Sequence, residues 1–158
     1  MQVHRETLEE EATHVTDEAR MVLPGVQAVL GFQLIAVFNQ RFQEFTVGEQ
    51  RLHLAAFLLM ALAMGLVMTP AAYHRQVERG RVSRRFVDLS STLLMLAMLP
   101  LIAGVCFDTY LIARLILEAQ DLALIVAAGT ALLLGGLWYG LPAFCRCLLY
   151  TSPSPRDS

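Results

Sequence analysis

Lysine is absent from this chain, and its basic side chains are twelve arginines and four histidines among 158 residues. Charge of either sign is scarce, at 16% of residues, where a soluble domain carries about a quarter. The shortage is uneven, because long stretches hold no charge at all. Such a chain is too apolar to stay disordered, and with three cysteines it is no disulfide-stapled module. A formal net charge of -2 without a dominant basic face argues against a nucleic-acid partner. The residues that are abundant are hydrophobic, 56% of the total, and mean hydropathy is +0.52. These proportions point to a small integral membrane protein whose first partner is the lipid bilayer.

Four segments are long and apolar enough to cross a hydrocarbon core, which takes about 20 helical residues. They run over about 21–38, 52–72, 89–110 and 122–141. Each reads as a helix, since an open strand leaves its backbone groups unsatisfied in lipid and the alternation of barrel strands is absent. The expected fold is therefore all-α, an integral membrane four-helix bundle. Apolar character in the third segment continues less cleanly to Leu117, so Asp108 and Arg114 fall at or beyond the interface. Asp108 reads as an interfacial residue; the alternative is a proton or cation site.

Arginine placement sets the threading. Arg5, Arg20, Arg75, Arg79, Arg81, Arg84, Arg85 and Arg146 lie on one side, and Arg41 and Arg51 on the other, joined by Arg114 where the third helix overshoots. The positive-inside rule puts the richer side, with both termini, in the cytoplasm. Residues 1–20 are acidic, unlike a signal peptide. Leu8, Ala12, Val15, Ala19 and Val22 recur at spacings of four and three, the apolar stripe of an amphipathic helix. Thr7 and Glu10 have the spacing of a capping box. We expect a short cytoplasmic amphipathic helix that meets the arginine-rich loop or a second copy of the chain.

Reactive chemistry is hard to find. His4, His14, His53 and His74 share no ligand spacing, and His53 and His74 stand at opposite ends of the second span. Cys106 is alone, and Cys145 with Cys147 makes only a C-x-C pair. No nucleophile–base pair, phosphate loop or paired carboxylates occur. We therefore expect no catalytic residue, no cofactor and no metal. The polar residues inside the spans (Gln27, Gln33, Ser90, Ser91, Thr92 and Thr130) are expected to turn inward and bond across helices. Ala61 with Gly65, and Gly136 with Gly140, have the spacing of close helix contacts, within the bundle or in a homo-oligomer. Tyr73, His74 and Arg75 close the second span. Tyr73 and Arg75 suit the headgroup level, and His74 is a candidate proton-responsive group.

Three separated motifs carry a family resemblance. Glu18-Ala19-Arg20 leads into Leu23-Pro24-Gly25-Val26-Gln27 and Gly31-Phe32. Met68-Thr69-Pro70 precedes Tyr73-His74-Arg75, and Leu137-Trp138-Tyr139-Gly140-Leu141-Pro142 closes the fourth segment. Together they resemble a bacterial family of small four-span membrane proteins classed as a domain of unknown function. The resemblance implies an inner-membrane location and supplies no activity. Separately, Cys147 to Asp157 resembles the translation of a sequencing-library adaptor. This implies that the biological chain is read to about Arg146 and that residues 143–158 form a disordered tail. The reading that follows is a non-enzymatic structural, accessory or oligomer-forming component with unknown protein partners. The alternative is a small transporter or channel acting as a homodimer, although the first span lacks the carboxylate on which small four-span exporters depend. A membrane enzyme or electron carrier would need a site that no motif provides.

Overall fold

The structure, a computed structural model, describes residues 7–77 and 83–151, with side chains as far as Cys147. Arg5, Arg79, Arg81, His4 and the tail from residue 152 lie outside the described residues. Among those described, all regular structure is helical. α1 spans Leu8–Val37 and α2 Val47–Val77, joined through a 3₁₀ turn at Gln40–Glu44. α3 covers Arg84–Leu117, α4 Gln120–Gly135 and α5 Leu141–Thr151, the last two joined by a π-helical turn at Gly136–Gly140. Among the described residues, four rods are long and apolar enough to cross a membrane, the fourth running over Gln120–Cys147. The chain divides into two compact units after Phe107, within α3.

Local chemistry sets where the helices start. Thr7 and Glu10 form a complete capping box: the Thr7 backbone N–H donates to Glu10 Oε2 at 2.7 Å, and the Glu10 N–H donates to Thr7 Oγ1 at 3.4 Å. A second box, unrecognised in the sequence, opens α2. There the Thr46 N–H donates to Glu49 Oε2 at 2.8 Å, and the Glu49 N–H to Thr46 Oγ1 at 3.3 Å. Ser83 Oγ accepts the Phe86 N–H at 3.1 Å at the start of α3. Each device satisfies amides that the first helical turn leaves without partners.

The first three helices, of 30, 31 and 34 residues, would be about 45–51 Å long, well beyond a ~30 Å hydrocarbon core. The amphipathic segment expected before residue 21 and the span expected over about 21–38 run from Leu8 as one uninterrupted rod, α1. Pro24 does not break it. The stripe read in the sequence is the reason the rod holds, because Val15, Ala19 and Val22 pack on Val67, Leu94 and Ala97 of α2 and α3. Ala12 joins Phe86 and Val87 one layer further out. Leu8, the first residue of the stripe, stays exposed.

The close contact between α2 and α3 is made by other small residues than the pairs singled out in the sequence. Ala61 and Gly65 are exposed, and neither Gly65 nor Gly136 has a heavy atom of another element within 4 Å of where a Cβ would stand. Around Gly140 the nearest is the Gly135 carbonyl of the same rod, at 4.0 Å. The close approach is at Gly104. A Cβ there would lie 2.9 Å from Met60 Sδ and 3.3 Å from the Ala56 carbonyl oxygen. Ala56, Met60, Ala63, Val67 and Pro70 form the buried stripe of α2. Spacing alone could not rank the competing small residues, since all of them recur at helical intervals.

In the second unit, α3 continues as helix to Leu117, past the expected limit near residue 110. It stops where Glu118 adopts φ 51°, a left-handed conformation that ends the hydrogen-bond ladder. The fourth rod also runs on. Residues 143–151 are helical, not a disordered tail, because Pro142 sits in the first turn of α5 and the next prolines come only at 153 and 155. Leu132, Leu133, Leu137, Leu141 and Phe144 are all exposed, and 6% of the rod's most apolar stretch is buried.

Candidate functional site

The helix ends at which α1 begins, α2 finishes and α3 starts gather most of the charge of the first unit. Arg84 Nη1 donates to Glu11 Oε2 at 2.8 Å, across 73 residues of sequence. This is the meeting of the acidic segment with the arginine-rich loop that the sequence led us to expect. Arg84 also approaches Asp88 at 3.7 Å. Inside this polar layer, Phe86 is buried and its ring serves two neighbours. Tyr73 stacks on it at 6.3 Å and 15°, and His74 tilts against it at 5.2 Å and 44°. Phe86 thus ties the end of α2 to the start of α3.

Beside this wedge lies an open groove of about 460 Å³. Its floor is apolar, with Ala12, Ala19, Val67 and Phe86. Its rim carries Glu9, Asp17, Arg20, His74 and Arg75. Arg20 Nη1 sits 3.3 Å from Asp17 Oδ1, and both side chains are exposed. His74 is half-buried, and its Nδ1 is enclosed without a hydrogen-bond partner among the described residues. Unpaired buried polar atoms are uncommon because each loses its water without compensation. Close by, on α1, the Thr7 backbone N–H and then the Thr7 hydroxyl hold the Glu10 carboxyl below its ordinary range.

The opposite end of the same unit holds a second polar contact. His53 is buried at 7% exposure and Gln33 at 4%. His53 Nε2 donates to the Gln33 backbone carbonyl at 3.0 Å, because a carbonyl oxygen only accepts. Phe42 of the connecting turn closes edge-on over the imidazole at 5.3 Å. This arrangement ties the last turns of α1 to the start of α2.

Of the residues singled out in the sequence, the structure brings Tyr73, His74 and Arg75 to the groove end. It does not bring the others there. Gln33 belongs to the His53 contact, and Asp108 lies half-buried in the second unit. Gln27 is exposed on α1, which corrects the expectation that it turns inward. Thr92 and Thr130 donate to the carbonyls of Asp88 and Val126 at 2.8 and 3.0 Å, within their own helices. A threonine hydroxyl can meet its requirement locally, so its presence in a span does not imply a cross-helix bond. Ser90 is fully buried and its hydroxyl has no partner among the described residues. The sequence reasoning missed Phe86. Its signal was the interval 86, 90, 94, 97, 104, the buried stripe of α3, which begins among the arginines before the apolar run starts. No group of three histidines, cysteines or carboxylates among the described residues is placed to hold a metal ion.

A family model described as a family of unknown function (DUF6328) matches residues 2–142. No curated protein and no solved structure matches the chain.

Proposed function

The chain belongs to this family of unknown function, DUF6328, and from its architecture we propose that it is a multi-pass protein of the bacterial cytoplasmic membrane, acting as a structural or accessory component that forms oligomers and not as an enzyme. The observation that carries the reading is the distribution of apolar surface. Four rods meet the length and hydropathy of a membrane span, yet no more than 28% of the most apolar stretch of any of them is buried within the chain. A soluble protein rarely exposes a contiguous apolar patch beyond a few hundred Å². Lipid covers these faces, and the fourth rod offers the largest free face to a second copy.

Orientation follows the arginines. Arg20, Arg75, Arg84 and Arg85 stand at the groove end of the first unit, and Arg41 and Arg51 at the His53 end. The positive-inside rule assigns the groove end to the cytoplasm, with both chain termini. A transporter would need polar side chains facing a shared path. The outward position of Gln27 and the self-contained bonds of Thr92 and Thr130 favour the structural reading.

Membrane fractionation and cysteine-accessibility labelling test this. The chain should require detergent for extraction. Single cysteines at residues 41 and 44 should react from the periplasmic side, and one at residue 85 only after the membrane is opened. Crosslinking through cysteines placed on the exposed face of the fourth rod should trap a dimer or higher species. Catalytic turnover by the purified protein, lost on one polar substitution, would overturn the non-enzymatic part.

A further inference from the structure

We propose that the π-helical turn and Pro142 make the fourth rod a hinge, about which α5 swings against α4. The hinge follows from the rod's own backbone; the membrane reading above sets only the level at which it lies. The Leu141 N–H donates to the Gly136 carbonyl, five residues back. The bonding is thereby shifted by one residue, and the Leu137 carbonyl would need residue 142 as its donor. In an ordinary α-turn the Trp138 carbonyl would need the same residue. Residue 142 is a proline, which has no N–H and whose ring presses on the carbonyl four residues back. Two successive carbonyls thus call on a donor that does not exist. The ladder that stiffens a helix is interrupted where α4 joins α5.

Packing does not replace that ladder among the described residues. Side chains from Leu141 to Cys147 are all exposed. Gly135 and Gly136, at the near side of the turn, have no neighbour within 4 Å of where a Cβ would stand, so a bend meets no obstacle there. Other helical prolines are held differently. Pro70 and Pro100 are buried, each within an uninterrupted α-helix. Pro24 is exposed, but Leu23 beside it packs on the Val67 and Leu94 cluster and Val26 is buried. Among the described helices, the fourth rod alone combines a widened turn, a missing donor and an exposed flank. Widened turns of this kind recur at functional positions. In the membrane reading, Trp138 and Tyr139 lie at the cytoplasmic interface. A carbonyl without a donor is costly in lipid, and a bend opening the Pro142 side lets water among the headgroups reach the Leu137 and Trp138 carbonyls. The device therefore lets α5 change direction without tilting α4.

The test compares two distance distributions, measured by double electron–electron resonance on the full chain in lipid nanodiscs with the native cysteines changed to serine. Spin labels at residues 126 and 144 bracket the hinge, and labels at residues 16 and 34 bracket Pro24 in α1 as the reference. All four positions are exposed. In a straight rod either pair would stand about 27 Å apart along the axis. The reference should be narrow. The 126–144 distribution should be about twice as broad and extend to shorter distances, as a helix bent by more than ~20° requires. Pro142→Ala with Gly140→Ala supplies the missing amide and better helix formers, and should narrow the 126–144 distribution to the reference width. Hydrogen exchange of the native chain gives a reading that needs no variant: amides at residues 140–144 should exchange about tenfold faster than those at 126–132. Equal widths for the two pairs, a width unchanged by the double substitution, or equal protection of the two stretches would overturn the hinge. A chain that stays out of nanodiscs yet shows the broad 126–144 distribution in detergent would keep the hinge and remove the membrane reading instead.

Discussion

Glu11 and Arg84 stand 73 residues apart in sequence and 2.8 Å apart in space, joining the first turn of one long helix to the first turn of another. The Arg84 side chain is 65% exposed and that of Glu11 29%, so water screens much of their attraction. A pair of this kind is worth about 0.2–1 kcal/mol. The double cycle of Glu11→Gln and Arg84→Gln in chemical denaturation should give a coupling within that range, falling as salt rises. A coupling of several kcal/mol would mean that the pair is far drier than its exposure implies.

Gly104 should tolerate no side chain cheaply. The Cβ of Gly104→Ala would meet Met60 Sδ at 2.9 Å and the Ala56 carbonyl at 3.3 Å. The thioether can swing aside, but the carbonyl belongs to a helix. Overpacking of this kind costs roughly 1–3 kcal/mol. Thermal unfolding should show Gly104→Ala destabilised within that range and Gly104→Val more so. Because Met60 is itself buried, the double variant Gly104→Ala with Met60→Ala should be less stable than Gly104→Ala but lose less than the sum of the two single changes. Gly65→Ala, at an open position, should be neutral.

Removing the imidazole that links α1 to α2 should loosen only that end of the unit. His53→Leu keeps an apolar body against Phe42 and deletes the bond to the Gln33 carbonyl, a loss of about 0.5–1.5 kcal/mol. Hydrogen exchange should quicken around residues 33–53, while amides near Phe86 keep their protection.

Acid should fray the start of α1. The Thr7 bonds hold the Glu10 carboxyl below its ordinary value. Its contribution is therefore complete above the unfolded glutamate pKa, about 4.3, and is lost as pH falls through the lowered value. Amide exchange of the first turn should accelerate below about pH 4, and Glu10→Ala should exchange fast at every pH. An acid-independent first turn in the native chain would show that the capping box does not hold it.

Glu118 is the place to look for stabilisation. Its φ of 51° costs a non-glycine residue roughly 1–2 kcal/mol. Glu118→Gly should raise the unfolding midpoint, the relief outweighing the added freedom of the unfolded chain. A lowered midpoint would mean that the Glu118 side chain contributes more than its backbone costs.

Much of this architecture was legible in the residues. Periodicity over Ala12, Val15, Ala19 and Val22 marked the face that packs on Phe86, Val67 and Leu94, because burial of an amphipathic stripe depends on spacing that a sequence displays. Thr7 and Glu10 declared a helix start, and Thr46 with Glu49 declared another that was passed over. The groove was not legible. Its parts come from three helices, and no spacing within one helix says that Glu9, Arg20 and Arg75 share a rim.

Hydropathy along the chain determined by itself that there are four long apolar helices, since apolar length is a local property that needs no partner. Which small residue permits close approach, which polar side chain turns outward, and which glutamate meets which arginine were decided only by the tertiary structure. Those outcomes depend on distances between segments far apart in the chain, and such distances exist only once the helices have packed.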